Sequence, residues 1–134
     1  MSENPEVGAD AELLFEVSEA DTATAMSSGD VPVLATPRLL AMAEEATVAA
    51  VAPWTRGPRT SVGVRVEIDH VRAMTVGSKV AVRAALVHVD DDRLHFEVTA
   101  EHPGDRRVIG HGPVSYTHLR AHETGSGISY AVFC

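Results

Sequence analysis

Three residues of this 134-residue chain, Thr36, Glu44 and His70, have types and positions suited to proton-transfer chemistry, and a fourth, Gly63, suits a close approach to the backbone. A carbonyl placed at a helix N-terminus feels the positive end of the helix dipole and can meet free N–H groups there. Thr36 stands where such a helix should begin, and Glu44 follows eight residues later, about two turns deeper. Leu40, Val48 and Val51 lie beside Glu44 at helical offsets. That strip would desolvate the carboxylate, as a general base requires. His70 is of the one side-chain type that ordinarily titrates near neutrality, so it could shuttle a proton to a leaving group. Gly63 interrupts a valine-rich strand, as a glycine does where something approaches the backbone closely.

Each residue also has a plainer reading. Thr36 is a good helix cap, because its hydroxyl can accept from an orphan N–H of the first turn. Glu44 can be an ordinary surface carboxylate, His70 a satisfied histidine at a sheet rim, and Gly63 the mark of a bulge. Other constellations carry less. A two-residue turn at Asp91-Asp92 would set His88 opposite His95, but a third and fourth ligand are not evident, so no metal is expected. Asp90 to Asp92 lacks the ligand spacing of a calcium loop. Arg56, Arg59, Arg65, Arg72 and Lys79 could contact phosphates, although scattered surface cations are the default. No phosphate loop, dinucleotide fingerprint or serine nucleophile elbow is present.

The elements that must position these residues can be read from the pattern. Thr36 to Ala52 predicts one helix, with Thr36 at the N-cap, Pro37 in the first turn and Pro53 as the stop. Leu39, Met42, Ala43, Ala46, Ala49 and Ala50 keep the helical period, and the opposite face is hardly polar, so the helix should be buried nearly all round. Residues 1–10 read as a disordered lead, 12–17 as a short strand, and 18–30 as a loop or lid with a fragment of helix. Arg56 to Arg59 is a turn. In 61–71, Val62, Val64, Val66, Ile68 and His70 share one phase of a strand. Further strands follow at 78–90, 93–102 and 106–112, with Leu94, Phe96, Val98 and Ala100 in phase. Hairpins make these strands antiparallel, so the class is α+β with a single central helix.

Composition limits the functions open to the chain. Its length suits one domain with a real core. A net charge of −8 argues against non-specific nucleic-acid binding. The acidic first residues are no signal-peptide n-region, and no apolar run is long enough to span a bilayer. The single cysteine, Cys134, allows no internal disulfide and fits a cytoplasmic protein.

Residues from about Ser115 onward resemble the translated read-through of a sequencing-library adapter. They are expected to be non-native, an ordinary divergent tail being the alternative, and Ser115 to Thr124 suits neither helix nor strand. The domain is therefore expected over residues 11–113, with 114–134 as a tail and no function assigned to His118, His122 or Cys134.

Gly29-Asp-Val-Pro-Val-Leu-Ala-Thr-Pro-Arg38, followed by Met42-Ala-Glu-Glu-Ala46, resembles the approach to the central helix, and that helix, in the fluoroacetyl-CoA thioesterase-like group of hotdog-fold proteins. Thr60 to His70 resembles the next strand of that group, and Thr75-Val-Gly-Ser-Lys-Val80 the turn and strand after it. The resemblance covers roughly residues 12–112. It implies a hotdog fold, in which a long helix is wrapped by an antiparallel sheet, and a homodimer joining two sheets edge to edge. It also implies hydrolysis of a small acyl-CoA, with the CoA carried by the substrate and no separate cofactor. The family's catalytic set falls on Thr36, Glu44 and His70, and its close-approach glycine on Gly63. A non-catalytic acyl-CoA binding module, an enoyl-CoA hydratase on the same fold and a structural dimerisation domain are the alternatives. Fluoroacetyl specificity does not follow, because the lid at 20–30 lacks aromatic residues that would shape such a pocket.

Overall fold

The computed structural model describes residues 5–55 and 59–120, with the side chains of 59–64 and 118–120 left aside. Most of the turn expected at Arg56–Arg59, and the chain beyond Arg120, lie outside the described residues. The strands are β1 (Asp10–Glu16), β2 (Arg59–Val66), β3 (Asp69–His70), β4 (Lys79–Asp90), β5 (Arg93–Glu101) and β6 (Val108–Arg120), with one long helix, α1 (Thr36–Ala50). The sheet runs β1-β4-β5-β6-β2, β3 pairs with β6, and every pairing is antiparallel. This is the helix-wrapped antiparallel sheet of the hotdog fold.

Period-two alternation builds the inner face. Val80, Val82, Ala84 and Leu86 of β4 and Leu94, Phe96, Val98 and Ala100 of β5 are buried against the helix. The helix answers with Leu39, Met42, Ala43, Ala46 and Ala50 at helical spacing, the stripe that a sheet-packed helix needs. Its other side is not covered within one chain: Val48 is 52% exposed. The expectation of a helix buried all round is thus corrected to one packed on a single broad face.

The helix start also differs from expectation. Ala35, not Thr36, is the N-cap residue, and no side chain caps the first turn. The Ala35 carbonyl accepts from the Arg38 and Leu39 N–H groups at 3.1 and 3.0 Å. Pro37 in the first turn removes one donor that would otherwise need a partner.

Both chain ends are more structured than the pattern suggested. Gly8 N–H donates to the Leu86 carbonyl, and Leu86 N–H to the Ala9 carbonyl. Pairing therefore reaches into the stretch read as a lead. At the other end β6 does not stop at Gly112. Ser115, Tyr116 and Thr117 pair with β5 on one side and β2 on the other. Tyr116 is buried, and its hydroxyl lies 2.8 Å from the Thr47 hydroxyl. A strand held on both edges needs little from its sequence beyond inward and outward phase, because the ladder bonds are made by backbone.

Candidate active site

The site is assembled where α1 begins. Three backbone features fix that point. Ala35 N–H donates to the Asp21 carbonyl at 2.9 Å, Leu34 N–H donates to the Met74 carbonyl at 2.7 Å, and isolated bridges join Thr22 to Leu34 and Val33 to Thr75. Arg38, one turn into the helix, holds Asp21 at 3.0 Å and Glu45 at 3.2 Å and lies over the Phe15 ring. The lid, which opens with the short helical turn Glu19–Asp21, is thereby tied to the helix.

His70 reaches the same point from β3. After β2 the chain leaves the ladder at Glu67 and rejoins it at Asp69, where His70 faces Gly110 of β6. Two glycines make room for this path. A Cβ on Gly112 would run into the Glu67 carbonyl, and one on Gly110 would lie 2.8 Å from the buried Leu39 side chain and 3.0 Å from the Asp69 carbonyl. Sequence reading missed both. The signal was Gly110-His-Gly112 inside an otherwise regular strand, a position where glycine marks close backbone approach.

Thr36 and His70 meet. Thr36 Oγ1 lies 2.8 Å from His70 Nδ1, so the threonine hydroxyl is engaged by the imidazole rather than by the helix end. The Thr36 N–H has no hydrogen bond among the described residues. Thr36 is exposed and His70 half-buried behind it. Burial lowers the His70 pKa from its ordinary 6.5, and the Arg72 backbone pulls weakly the other way. Nε2 is buried and finds no partner of hydrogen-bonding geometry. The ring is therefore neutral at pH 7. A neutral ring carries one N–H, so the direction of the Thr36–His70 hydrogen bond follows from the tautomer: with the proton on Nε2, Nδ1 accepts from the Thr36 O–H.

The pair opens on a cavity of about 360 Å³ lined by Thr36, His70, Ala23, Ser28, Val33 and Arg72 among others. The small lid side chains leave it open. Glu44 is not among its lining residues. Eight residues along the helix from Thr36, it lies on the order of 12 Å down the axis, half-buried. Its backbone carbonyl accepts from the Thr47 hydroxyl at 2.7 Å. Of the strip expected to desolvate it, Val51 is buried and Val48 is not.

Gly63 sits at a bulge: the register of β2 on β6 shifts between Gly63 and Arg65. Gly63 faces Tyr116 across the ladder, and the Tyr116 hydroxyl approaches the Glu44 carbonyl at 3.4 Å. The place of Gly63 on the ladder is beside the Glu44 turn rather than the Thr36–His70 pair.

His88 does pair with His95, their rings 5.4 Å apart, and the described residues hold no group of three or more potential metal ligands. No described helix is long and apolar enough to cross a membrane.

Residues 17–131 match the family model of the fluoroacetyl-CoA-specific thioesterase FlK. No sequence among the curated proteins matches. Among solved structures, the fluoroacetyl-CoA thioesterase FlK superposes with a TM-score of 0.82 at 24% identity, over 93% of this chain and 96% of that one. A variant of that thioesterase in complex with fluoroacetate and CoA gives 0.79 at 25% identity, over 89% and 98%. A Thermus thermophilus protein described as a thioesterase superfamily member gives 0.83 at 20% identity, over 95% and 93%.

Proposed function

The chain belongs to the fluoroacetyl-CoA-specific thioesterase family and is thus an acyl-CoA thioesterase, and we propose that it hydrolyses a small acyl-CoA with Thr36, His70 and Glu44. The observation that carries this reading is the 2.8 Å contact of Thr36 with a neutral His70 at a helix N-terminus that opens on a cavity. In the proposed reaction the thioester carbonyl sits at that terminus, where the free Thr36 N–H and the helix dipole stabilise the oxyanion. Glu44 activates water, or attacks the carbonyl itself to give a mixed anhydride that water then hydrolyses to the free acid and Glu44. As water adds, neutral His70 accepts a proton at Nδ1 through the Thr36 hydroxyl; when the C–S bond breaks, the imidazolium returns that proton through the same hydroxyl to the departing thiolate. The only cofactor moiety is the CoA of the substrate, and no metal takes part.

Glu44 is the member that one chain does not bring to the cavity. Val48, one turn further along the helix from Glu44, is an exposed apolar residue, so this face of α1 needs a cover. We assign that cover to a second copy in a homodimer, which would desolvate Glu44 and complete the site. Release of free thiol from acetyl-CoA and short-chain acyl-CoAs, followed with a thiol reagent, tests the reading. Binding without thiol release would instead indicate a non-catalytic acyl-CoA module.

A further inference from the structure

Val71 and Arg72 line a second cavity as well as the one that holds Thr36 and His70. This cleft of about 520 Å³ is walled by Val71, Arg72, Arg106, Arg107 and Val108. Every charged group in its wall is an arginine, on a chain of net charge −8. The nearest carboxylates stand outside the wall: Asp105 holds Arg72 at 3.1 Å, and Glu101 approaches Arg106 at 3.5 Å. Arg107 has no ion-pair partner among the described residues. The turn that carries these arginines is closed on itself. Arg106 N–H donates to the His102 carbonyl at 2.8 Å, His102 N–H to the Arg107 carbonyl at 3.0 Å, and Arg107 N–H to Asp105 Oδ1 at 3.0 Å. The backbone that presents the guanidinium groups is therefore fixed before any ligand arrives.

Planar guanidinium groups suit phosphate oxygens, which they can engage through two parallel hydrogen bonds. Gly110 faces His70, and Arg107 is three residues earlier, on the order of 10 Å along the strand direction. The apolar Ala23, Val33 and Ala35 line only the first cavity. One continuous surface thus runs from a small apolar recess, past the Thr36–His70 pair and over Val71, to a cationic cleft. A CoA ester has the same order of parts: acyl group, thioester, uncharged pantetheine arm, phosphates. We propose that the cleft of Arg72, Arg106 and Arg107 holds the phosphates of the substrate's nucleotide end. This rests on the acyl-CoA reading above and adds the residues that hold the nucleotide.

The test compares one acyl group presented on CoA and on pantetheine, which lacks the nucleotide phosphates. In the Arg106→Ala/Arg107→Ala variant, kcat/KM for the acyl-CoA relative to acyl-pantetheine should fall roughly 10-fold, the low end of what charged hydrogen bonds contribute, because the site is open to water. The loss should appear in KM, and Arg107→Lys should recover part of it. Arg83→Ala, which breaks a pair with Asp10 between β4 and β1, should leave the ratio alone. Independently, added salt should raise KM of the unaltered protein for acyl-CoA more than for acyl-pantetheine. Thiol release from both thioesters with an unchanged ratio would overturn the arginine site. So would an equal fall for both, which would make the arginines structural, or a salt response common to both. No thiol release from either thioester would overturn the acyl-CoA reading itself.

Discussion

At the residue scale, the proposed roles separate by mutation. Glu44→Ala and His70→Ala should each lower thioester turnover by roughly 10²- to 10⁴-fold, the usual contribution of a positioned proton-transfer group, or about 3–5 kcal/mol of barrier. Glu45→Ala is the control: one position along, it lies about 100° round the helix and pairs with Arg38, so turnover should stay nearly unchanged. If Glu45→Ala abolished thiol release and Glu44→Ala did not, the alignment of the helix with the chemistry would be wrong. Thr36→Ser should retain most of the turnover because the hydroxyl remains, whereas Thr36→Val removes the group that meets the imidazole. The pH dependence follows from His70. Burial holds its pKa below 6.5, so the unfolded chain binds that proton more readily than the native one. Its contribution to stability is complete above pH 6.5 and is lost as pH falls through the lower native value. The acid limb of kcat/KM should have a midpoint below 6.5, matching an NMR titration of the His70 ring; a midpoint above 6.5 would remove His70 from the proton transfer. The residue types were legible in the sequence, but their partners were not. A threonine before a proline reads as a helix cap, and only the path of β3 shows its hydroxyl turned to a histidine 34 residues away.

At the element scale, helix, strands and hairpins were legible because burial on one face imposes a period of 3.6 or 2 on the chain. Two features were hidden. The bulge between Gly63 and Arg65 is a shift of pairing register against β6, and a strand's own alternation does not record its partner's register. The gap between β2 and β3 is specified by Gly110 and Gly112 on the neighbouring strand, far along the sequence. Gly112→Ala should therefore destabilise the fold by about 1–3 kcal/mol or more, because the obstacle is the Glu67 backbone, which yields less easily than a side chain. Gly110→Ala meets Leu39 and the Asp69 carbonyl, and should lower turnover by displacing His70 while costing less stability. Thermal melts beside thiol-release rates would separate the two; equal melting points for both variants and the parent would contradict the close approach. The end of β6 was illegible for another reason. Ser115 to Thr117 join a ladder held on both edges by backbone pairing, and Tyr116 falls on the inner face.

At the scale of the whole molecule, one chain gives a sheet with β1 and β2 at its edges and a helix whose outer face is incompletely covered. Edge strands present unpaired N–H and C=O groups, which a second chain can satisfy. Each protomer is 14.2 kDa, so light scattering at micromolar concentration should give twice that mass. Dimer mass alone would not show that the site needs the dimer, since an edge-to-edge pair could leave the cavities independent. Dilution distinguishes the two cases. If a second copy covers Glu44 and Val48, activity per chain should fall as protein is diluted through the dissociation constant, because a water-exposed carboxylate is a poorer base in the reaction than a desolvated one. Val48→Arg should shift that fall to higher concentration by placing a charge in the covered patch. It should leave activity per chain at saturating protein closer to the parent than Glu44→Ala does. A monomeric protein with full thiol release at every dilution would overturn the shared site. Glu44 would then have to reach the thioester within its own chain, and the about 12 Å that separates it from Thr36 along the helix axis would have to be spanned by the substrate and its water.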